Sequence, residues 1–173
     1  GEALKDPESG KVLGYMGTYT GAVRVDAVDK ITRGAITDSA RETTAGDLLF
    51  AVDNQTVSRD IVPRAPPAGV SGQIMAVVDG VSMIGQYQVV AVNRGTRDGL
   101  ETGHVLAIDQ KGEVLDDRSC KRSALSWCIG KKLHLPDERA GTLLVFKTYE
   151  RMSYGLIVTT TIPVRVADRV RTP

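Results

Sequence analysis

The stretch from Tyr87 to Asp109 decides the fold of this chain, and it reads YQVVAVNRGTRDGLETGHVLAID. Two apolar runs flank a loop that is punctuated by glycines. The first run carries apolar side chains on both faces of an extended chain, which is typical of a strand buried on at least one face. Leu100 is the only large apolar residue of the loop, and we expect it to pin the loop to the core. The glycines serve backbone geometry, because no helix start follows them to form a phosphate site.

The composition shows no strong charge bias. The 173 residues include 22 lysines and arginines and 21 acidic residues, which gives a formal charge of +1. A chain of this length buries roughly 70% of its unfolded surface on folding. We therefore expect a hydrophobic core that is stable without disulfides or bound metals. The near balance of charge and an aromatic content of 5% argue against nucleic acid as the main partner.

The termini and the apolar runs bear on the compartment. No apolar run approaches the roughly 20 residues that span a bilayer, so we predict that the chain is not membrane-spanning. The sequence begins at Gly1 without an initiator methionine or a signal pattern. We therefore interpret it as a piece of a longer protein.

Short apolar runs separated by turn residues predict an all-β fold. No segment shows a sustained helical period with caps. The consecutive Pro66 and Pro67 remove ladder donors and stiffen the chain, which is typical of a linker. We predict a small N-terminal β unit over residues 1–62, a proline-rich linker over 63–72 and a larger C-terminal antiparallel β-sandwich or barrel over 73–173.

A short sequence pattern recurs three times in the chain. Gly46, Gly103 and Gly141 each stand just ahead of an apolar run. The spacing between these glycines is irregular, so the recurring pattern does not indicate a solenoid. We expect the same strand-entry turn at all three positions, with the first of them leading into a strand at 48–52.

Cys120 and Cys128 are the only cysteines, with seven residues between them. A loop or wide hairpin can bridge this spacing, which is not the CxxC spacing of a zinc knuckle or a redox pair. Closing so short a loop stabilises the fold by roughly 2.5 kcal/mol in the chain-entropy interpretation. The alternative is two unrelated thiols, and we favour the disulfide.

His104 and His134 are the only imidazoles, and both are expected in partly exposed strand positions. Neither stands in a metal-ligand pattern, so we predict no metal site and no cofactor. The carboxylates of Asp137 and Glu138 are typical of a solvated turn. A Ser-His-Asp catalytic triad formed by residues distant in sequence remains an alternative, although the chain contains no GxSxG nucleophile motif. We predict that the chain is not an enzyme.

A basic and aromatic patch surrounds the cysteine pair. The functional interpretation is a docking surface for an anionic polymer, a glycan or a protein, whereas the alternative, which we favour, is a solvated loop whose tryptophan covers the disulfide. The candidate contact residues are Arg118, Lys121, Arg122, Trp127, Lys131 and Lys132.

Five segments together resemble the region that follows the LysM domain in bacterial LysM peptidoglycan-binding envelope proteins. LPDERAG and SYGLIV are the most specific of them. The LysM module itself, with its YxVxxGDTLWxIA-like opening, is absent, so its glycan-binding residues have no counterpart here. The cysteine loop is also longer than expected for this family. The segments are DPESGKVLGY, AGDLLFAVD, VVAVNRGTRDGLETGHVLAID, LHLPDERAGTLLVFKTYERMSYGLIV and VRVADRVRTP.

The resemblance implies export to the periplasm or cell envelope and a β-rich region beside a LysM module that grips peptidoglycan. An oxidising compartment would favour the disulfide. We expect a non-catalytic module that presents a surface to the wall or to an envelope protein partner, while the LysM module binds peptidoglycan. The alternatives are a cell-wall hydrolase that uses His104 or His134 with nearby acids, and a structural spacer in an envelope assembly.

Overall fold

The computed structural model describes residues 1–52, 60–67, 69–78, 84–116 and 132–173. In these ranges it contains twelve strands, one 3-10 helix and no α-helix, so the all-β prediction is confirmed. The 3-10 helix η1 spans Thr96–Asp98. The strands are β1 (Glu2–Lys5), β2 (Val12–Met16), β3 (Gly21–Ala27), β4 (Arg33–Ser39), β5 (Ser71–Val77), β6 (Val89–Val92), β7 (Val105–Gln110), β8 (Val114–Asp116), β9 (Lys132–His134), β10 (Glu138–Thr148), β11 (Ser153–Thr160) and β12 (Arg169–Arg171).

Six of these strands close into an antiparallel barrel in the order β10-β11-β6-β5-β12-β7. The short β12 closes the barrel, because it pairs with β5 on one side and with β7 on the other. The longest ladder joins β10 to β11 and places Leu144 opposite Leu156. Of the two predicted architectures for the larger C-terminal part, the barrel is therefore the one that forms.

The barrel interior is filled by the alternate residues of its strands, as the strand period of two requires. Leu143 and Val145 of β10 and Ile157 of β11 are fully buried. Gly155 leaves room for one of them, since a Cβ there would lie 2.6 Å from Leu143 Cγ. Leu100 is also fully buried in this core, which confirms its predicted role as the anchor of the loop.

Three corrections concern strand limits. Gly141 was expected in a turn at the entry to a strand, but it lies inside β10 and pairs with Ile108 of β7. Tyr87 was expected to share the first strand of the deciding stretch, but it is exposed, has φ +67°, and precedes β6. Residues 48–52 form no strand, and Phe50 is 82% exposed. The apolar run follows the positive-φ turn of Gly46 as expected, but within the described part of the chain it has neither a partner strand nor a core to cover it.

The chain divides into two compact units. One consists of Gly1–Ala3 with Tyr15–Thr56, and contains the β3-β4 hairpin. The other consists of Leu4–Gly14 with Val57–Pro173, and contains the barrel. The predicted linker at 63–72 lies within this second unit, and its last two residues begin β5.

Candidate ligand-binding cleft

The loop after β6 docks its backbone on the turn between β10 and β11. The Thr96 N–H donates to the Tyr149 carbonyl at 2.9 Å, and the Arg97 N–H donates to the Glu150 carbonyl at 3.1 Å. Gly95 permits this approach, since a Cβ there would overlap the Tyr149 carbonyl oxygen and lie 2.7 Å from the Met152 nitrogen. Two turns that are distant in sequence therefore form one backbone-bonded frame.

Asn93 holds a third segment against this frame. Its side chain is buried, with Oδ1 accepting the Gln73 N–H at 2.6 Å and Nδ2 donating to Asp6 Oδ1 at 2.7 Å. Burial by itself raises the pKa of Asp6, but hydrogen bonds from Ser9, Asn93 and the backbones of Glu8 and Ser9 together bring that pKa below its ordinary value. Asp6 is therefore a carboxylate at neutral pH, and its charge is used within the fold.

Arg94 is tied into the same corner of the barrel. Its Nε donates to the Ser71 carbonyl at 2.6 Å, one terminal nitrogen donates to the Asn93 carbonyl at 2.8 Å, and the other bonds Glu8 Oε2 at 2.9 Å. The buried Ser153 hydroxyl donates to the Arg94 carbonyl at 2.7 Å. The guanidinium of Arg94 is thus a structural group, because each of its three nitrogens donates a hydrogen bond within the fold.

These segments enclose a polar cleft of about 170 Å³. Asp98 is one of its acidic groups, and its Oδ2 accepts the Gly95 N–H at 2.9 Å. Arg97 forms an exposed ion pair with Glu150. Arg151 is exposed and forms no ion pair with any residue that the structure describes. The lining residues are Asp6, Leu13, Asn93, Arg94, Arg97, Asp98 and Arg151.

An aromatic cluster lies on the same hairpin. The rings of Phe146 and Tyr154 stack with centroids 6.5 Å apart, and Tyr149 meets Tyr154 edge-on at 6.0 Å. Lys147 Nζ lies 5.5 Å from the centre of the Tyr149 ring, within cation-π range. Burial and the neighbouring Tyr149 raise the pKa of Tyr154, against an opposing effect of Lys147, so its phenol is neutral. Tyr149 itself is 44% exposed.

His104 has a role in the loop structure. Its ring is buried, and Nδ1 accepts the Glu101 N–H at 3.0 Å. Burial and the charge of Arg64 lower the pKa of His104, while Glu101 acts in the opposite direction. The imidazole is therefore neutral at pH 7 and holds the turn that leads into β7. His134 ends β9 and is exposed. The structure does not bring either imidazole into the cleft.

Of the sequence-predicted contact residues, the structure describes Lys132. Lys132 begins β9 and is exposed. The proposed disulfide partners and the rest of the basic patch lie outside the described residues, so these predictions stay predictions. They are Cys120, Cys128, Arg118, Lys121, Arg122, Trp127 and Lys131.

The cleft was not predicted from the sequence. For the segment that holds Asn93, Arg94, Gly95 and Asp98, the sequence predicts only a glycine-containing loop between two apolar runs. The signal that was available is an Asn-Arg-Gly break followed by Arg97 and Asp98. These loop residues come together with Asp6 and Arg151 only through tertiary contacts, which no local sequence pattern predicts.

No protein-family model and no curated protein matches the chain. Across the described ranges, no helix is long and apolar enough to cross a membrane. The same ranges contain no group of three or more His, Cys, Asp or Glu side chains placed to hold a metal ion.

Proposed function

We propose that this chain is a non-catalytic binding module of a LysM-type cell-envelope protein, and that it contacts the wall or an envelope protein through the β10-β11 turn. One observation carries the proposal. The two most specific segments of the resemblance, residues 135–141 and 153–158, contribute to β10 and β11. The turn between these strands carries the exposed Tyr149 and Arg151.

The chemistry of this surface supports an interaction role. Tyrosine and arginine are the side chains that most often dominate binding energy at protein interfaces. Backbone hydrogen bonds from η1 hold the turn in place. A surface that is ordered before binding loses less conformational entropy on association than a mobile loop does.

The environment of His104 supports a non-catalytic role over the hydrolase alternative. Its Nδ1 is occupied by the Glu101 N–H, so the lone pair that a general base would use there already serves the turn. The hydrolase alternative requires release of soluble wall fragments by the intact chain, lost in His104→Ala or His134→Ala. The spacer alternative requires that the chain bind neither wall nor a soluble ligand.

The experiment is co-sedimentation of the chain with purified peptidoglycan sacculi at low and at high salt, with the supernatant assayed for released fragments. We expect pelleting that survives high salt, because aromatic contacts are screened less than surface charge pairs. Tyr149→Ala tests the surface and should reduce pelleting. Its matched control is Tyr15→Ala, which changes an exposed tyrosine of the other unit and should leave pelleting unchanged. No pelleting of the intact chain would contradict wall contact and leave an envelope protein as the partner to test.

A further inference from the structure

The cleft beside the β10-β11 turn keeps two arginines that its internal hydrogen bonds do not use. Asp6 accepts hydrogen bonds from Ser9 and Asn93, and Asp98 accepts one from Gly95. Arg94 is held by Glu8 and by two carbonyls. After these internal pairings are made, the lining retains Arg97 and Arg151.

These two arginines are available in different ways. Arg151 forms no ion pair with the described residues. Arg97 pairs with Glu150, but both side chains are 65% exposed, and exposed pairs contribute little net free energy. An incoming anion can therefore replace Glu150 at Arg97 at small cost. Guanidinium groups are the usual choice for binding a planar oxyanion, since their donors match its two oxygens.

The charge and size of the cleft select among anions. Three arginines and two aspartates line it, but Glu8 pairs with Arg94 and Glu150 pairs with Arg97. Arg151 is therefore the lining cation that has no ion-pair partner among the described residues. A monoanion balances the charge of Arg151, whereas a dianion such as phosphate would bring one further negative charge beside the carboxylates of Asp6 and Asp98. The volume of about 170 Å³ is well above the roughly 10–15 Å³ that a single water needs, so the cleft has room for a carboxylate with its neighbouring atoms. Leu13 adds an apolar wall for an adjacent side chain.

We infer that the cleft lined by Arg97 and Arg151 is a binding site for the carboxylate of a peptide. The inference rests on the proposed binding function and names the group that the surface recognises. The carboxylate belongs either to a free C-terminus or to an acidic side chain. Both sources present the same oxyanion, and the experiment separates them.

The test is an NMR titration that follows the arginine Nε–H signals and the amides of residues 95–98 and 149–152. The probes are N-acetyl-alanyl-alanine, its C-terminal amide, N-acetyl-aspartate amide and inorganic phosphate. We expect saturable shifts with the free acid and none with its amide. A stronger response to N-acetyl-aspartate amide than to the free acid would assign the site to side-chain carboxylates, a weaker one would assign it to C-termini, and equal responses would mean that the site accepts both. Arg151→Gln should weaken binding at least about tenfold, as the loss of a charge-assisted hydrogen bond implies, whereas Arg41→Gln should leave it unchanged.

Three results would overturn the inference: equal shifts with acid and amide, unchanged affinity in Arg151→Gln, or tighter binding of phosphate than of carboxylate. The outcome is separable from that of the proposed function. Retained pelleting with sacculi but no carboxylate response would reject the carboxylate site alone. A carboxylate response without binding to wall or envelope protein would reject the envelope function alone.

Discussion

The side-chain amide of Asn93 donates a 2.7 Å hydrogen bond to the carboxylate of Asp6, 87 residues away in the sequence. The same amide accepts the Gln73 N–H through its oxygen. A second link, from Arg94 to Glu8, lies beside it. Together these bonds attach the Leu4–Gly14 segment to the barrel within one compact unit, and they build one wall of the cleft.

Asn93→Ala tests this attachment. The substitution leaves the Gln73 N–H without its acceptor and removes one of several donors to the Asp6 carboxylate. A polar group left without a partner costs about 1–3 kcal/mol. We expect the free energy of unfolding to fall by about 2–4 kcal/mol, measured by urea denaturation. The exposed Thr159→Ala on β11 is the control and should change it by less than about 0.5 kcal/mol. Equal effects from the two variants would show that the Asn93 bonds contribute no net stability.

Gly95→Ala tests the frame of the cleft. The added methyl would overlap the Tyr149 carbonyl and crowd the Met152 nitrogen, so η1 must separate from the turn. We expect a loss of at least about 3 kcal/mol in unfolding free energy, as for overpacking against rigid backbone. At Gly85 the nearest atom to an added Cβ is 4.0 Å away, and Gly85→Ala should be tolerated. Similar stabilities for the two variants, read from thermal unfolding, would contradict the close docking.

Much of the fold could be predicted because it rests on local patterns. Alternating and continuous apolar runs indicate strands, and a single leucine in a glycine-rich loop indicates an anchor, which is the role of Leu100. Residues 48–52 show the limit of such patterns, since an apolar run also needs a partner strand. Closure of the barrel by β12 depends on pairing with β5 and β7, and three residues of sequence carry no signal for it.

His104 gives a prediction with a defined sign in pH. Because its pKa is lowered in the folded chain, the unfolded chain binds the proton more tightly. The stabilisation is complete above the ordinary histidine pKa of about 6.5 and is lost as the pH falls through the lower folded value. His104→Ala should therefore cost about 1–3 kcal/mol at pH 7 and less at pH 5.

The exposed His134→Ala is the matched control and should change the unfolding free energy by less than about 0.5 kcal/mol at both pH values. Urea denaturation at each pH makes the comparison. A cost of His104→Ala that stays constant or grows toward pH 5 would contradict the role of the neutral imidazole as an acceptor.

Arg171→Ala tests how β12 closes the barrel. Arg171 forms an ion pair with Asp109, whose side chain is only 8% exposed. Removing the arginine leaves that carboxylate without its cation, which we expect to cost about 1–3 kcal/mol of unfolding free energy. Within the part of the chain that the structure describes, the side chain of Arg169 on the same strand makes one hydrogen bond, to the Ser71 hydroxyl at 3.1 Å. Arg169→Ala should therefore cost less, and the reverse order in chemical denaturation would contradict the assignment.

The candidate site was less predictable than the fold for a physical reason. A binding cleft is made by residues from several segments, here Asp6, Asn93 and Arg151, and no periodicity relates them. The prediction instead placed the contact surface at Trp127 and its basic neighbours, where aromatic and charged residues are consecutive in sequence. Reasoning from local sequence detects groups of consecutive residues. Arg151 becomes part of a site only because the loop after β6 docks on the turn that carries it.

The most direct test of the account is co-sedimentation with sacculi of the intact chain, Arg151→Glu and the matched control Arg41→Glu, at one salt concentration. Charge reversal at Arg151 places a carboxylate in the cleft, and like charges at a binding surface oppose association. The account predicts that the intact chain and Arg41→Glu pellet equally and that Arg151→Glu pellets at least about tenfold more weakly. Equal pelleting of all three proteins would contradict the assignment of the interaction surface to the β10-β11 turn.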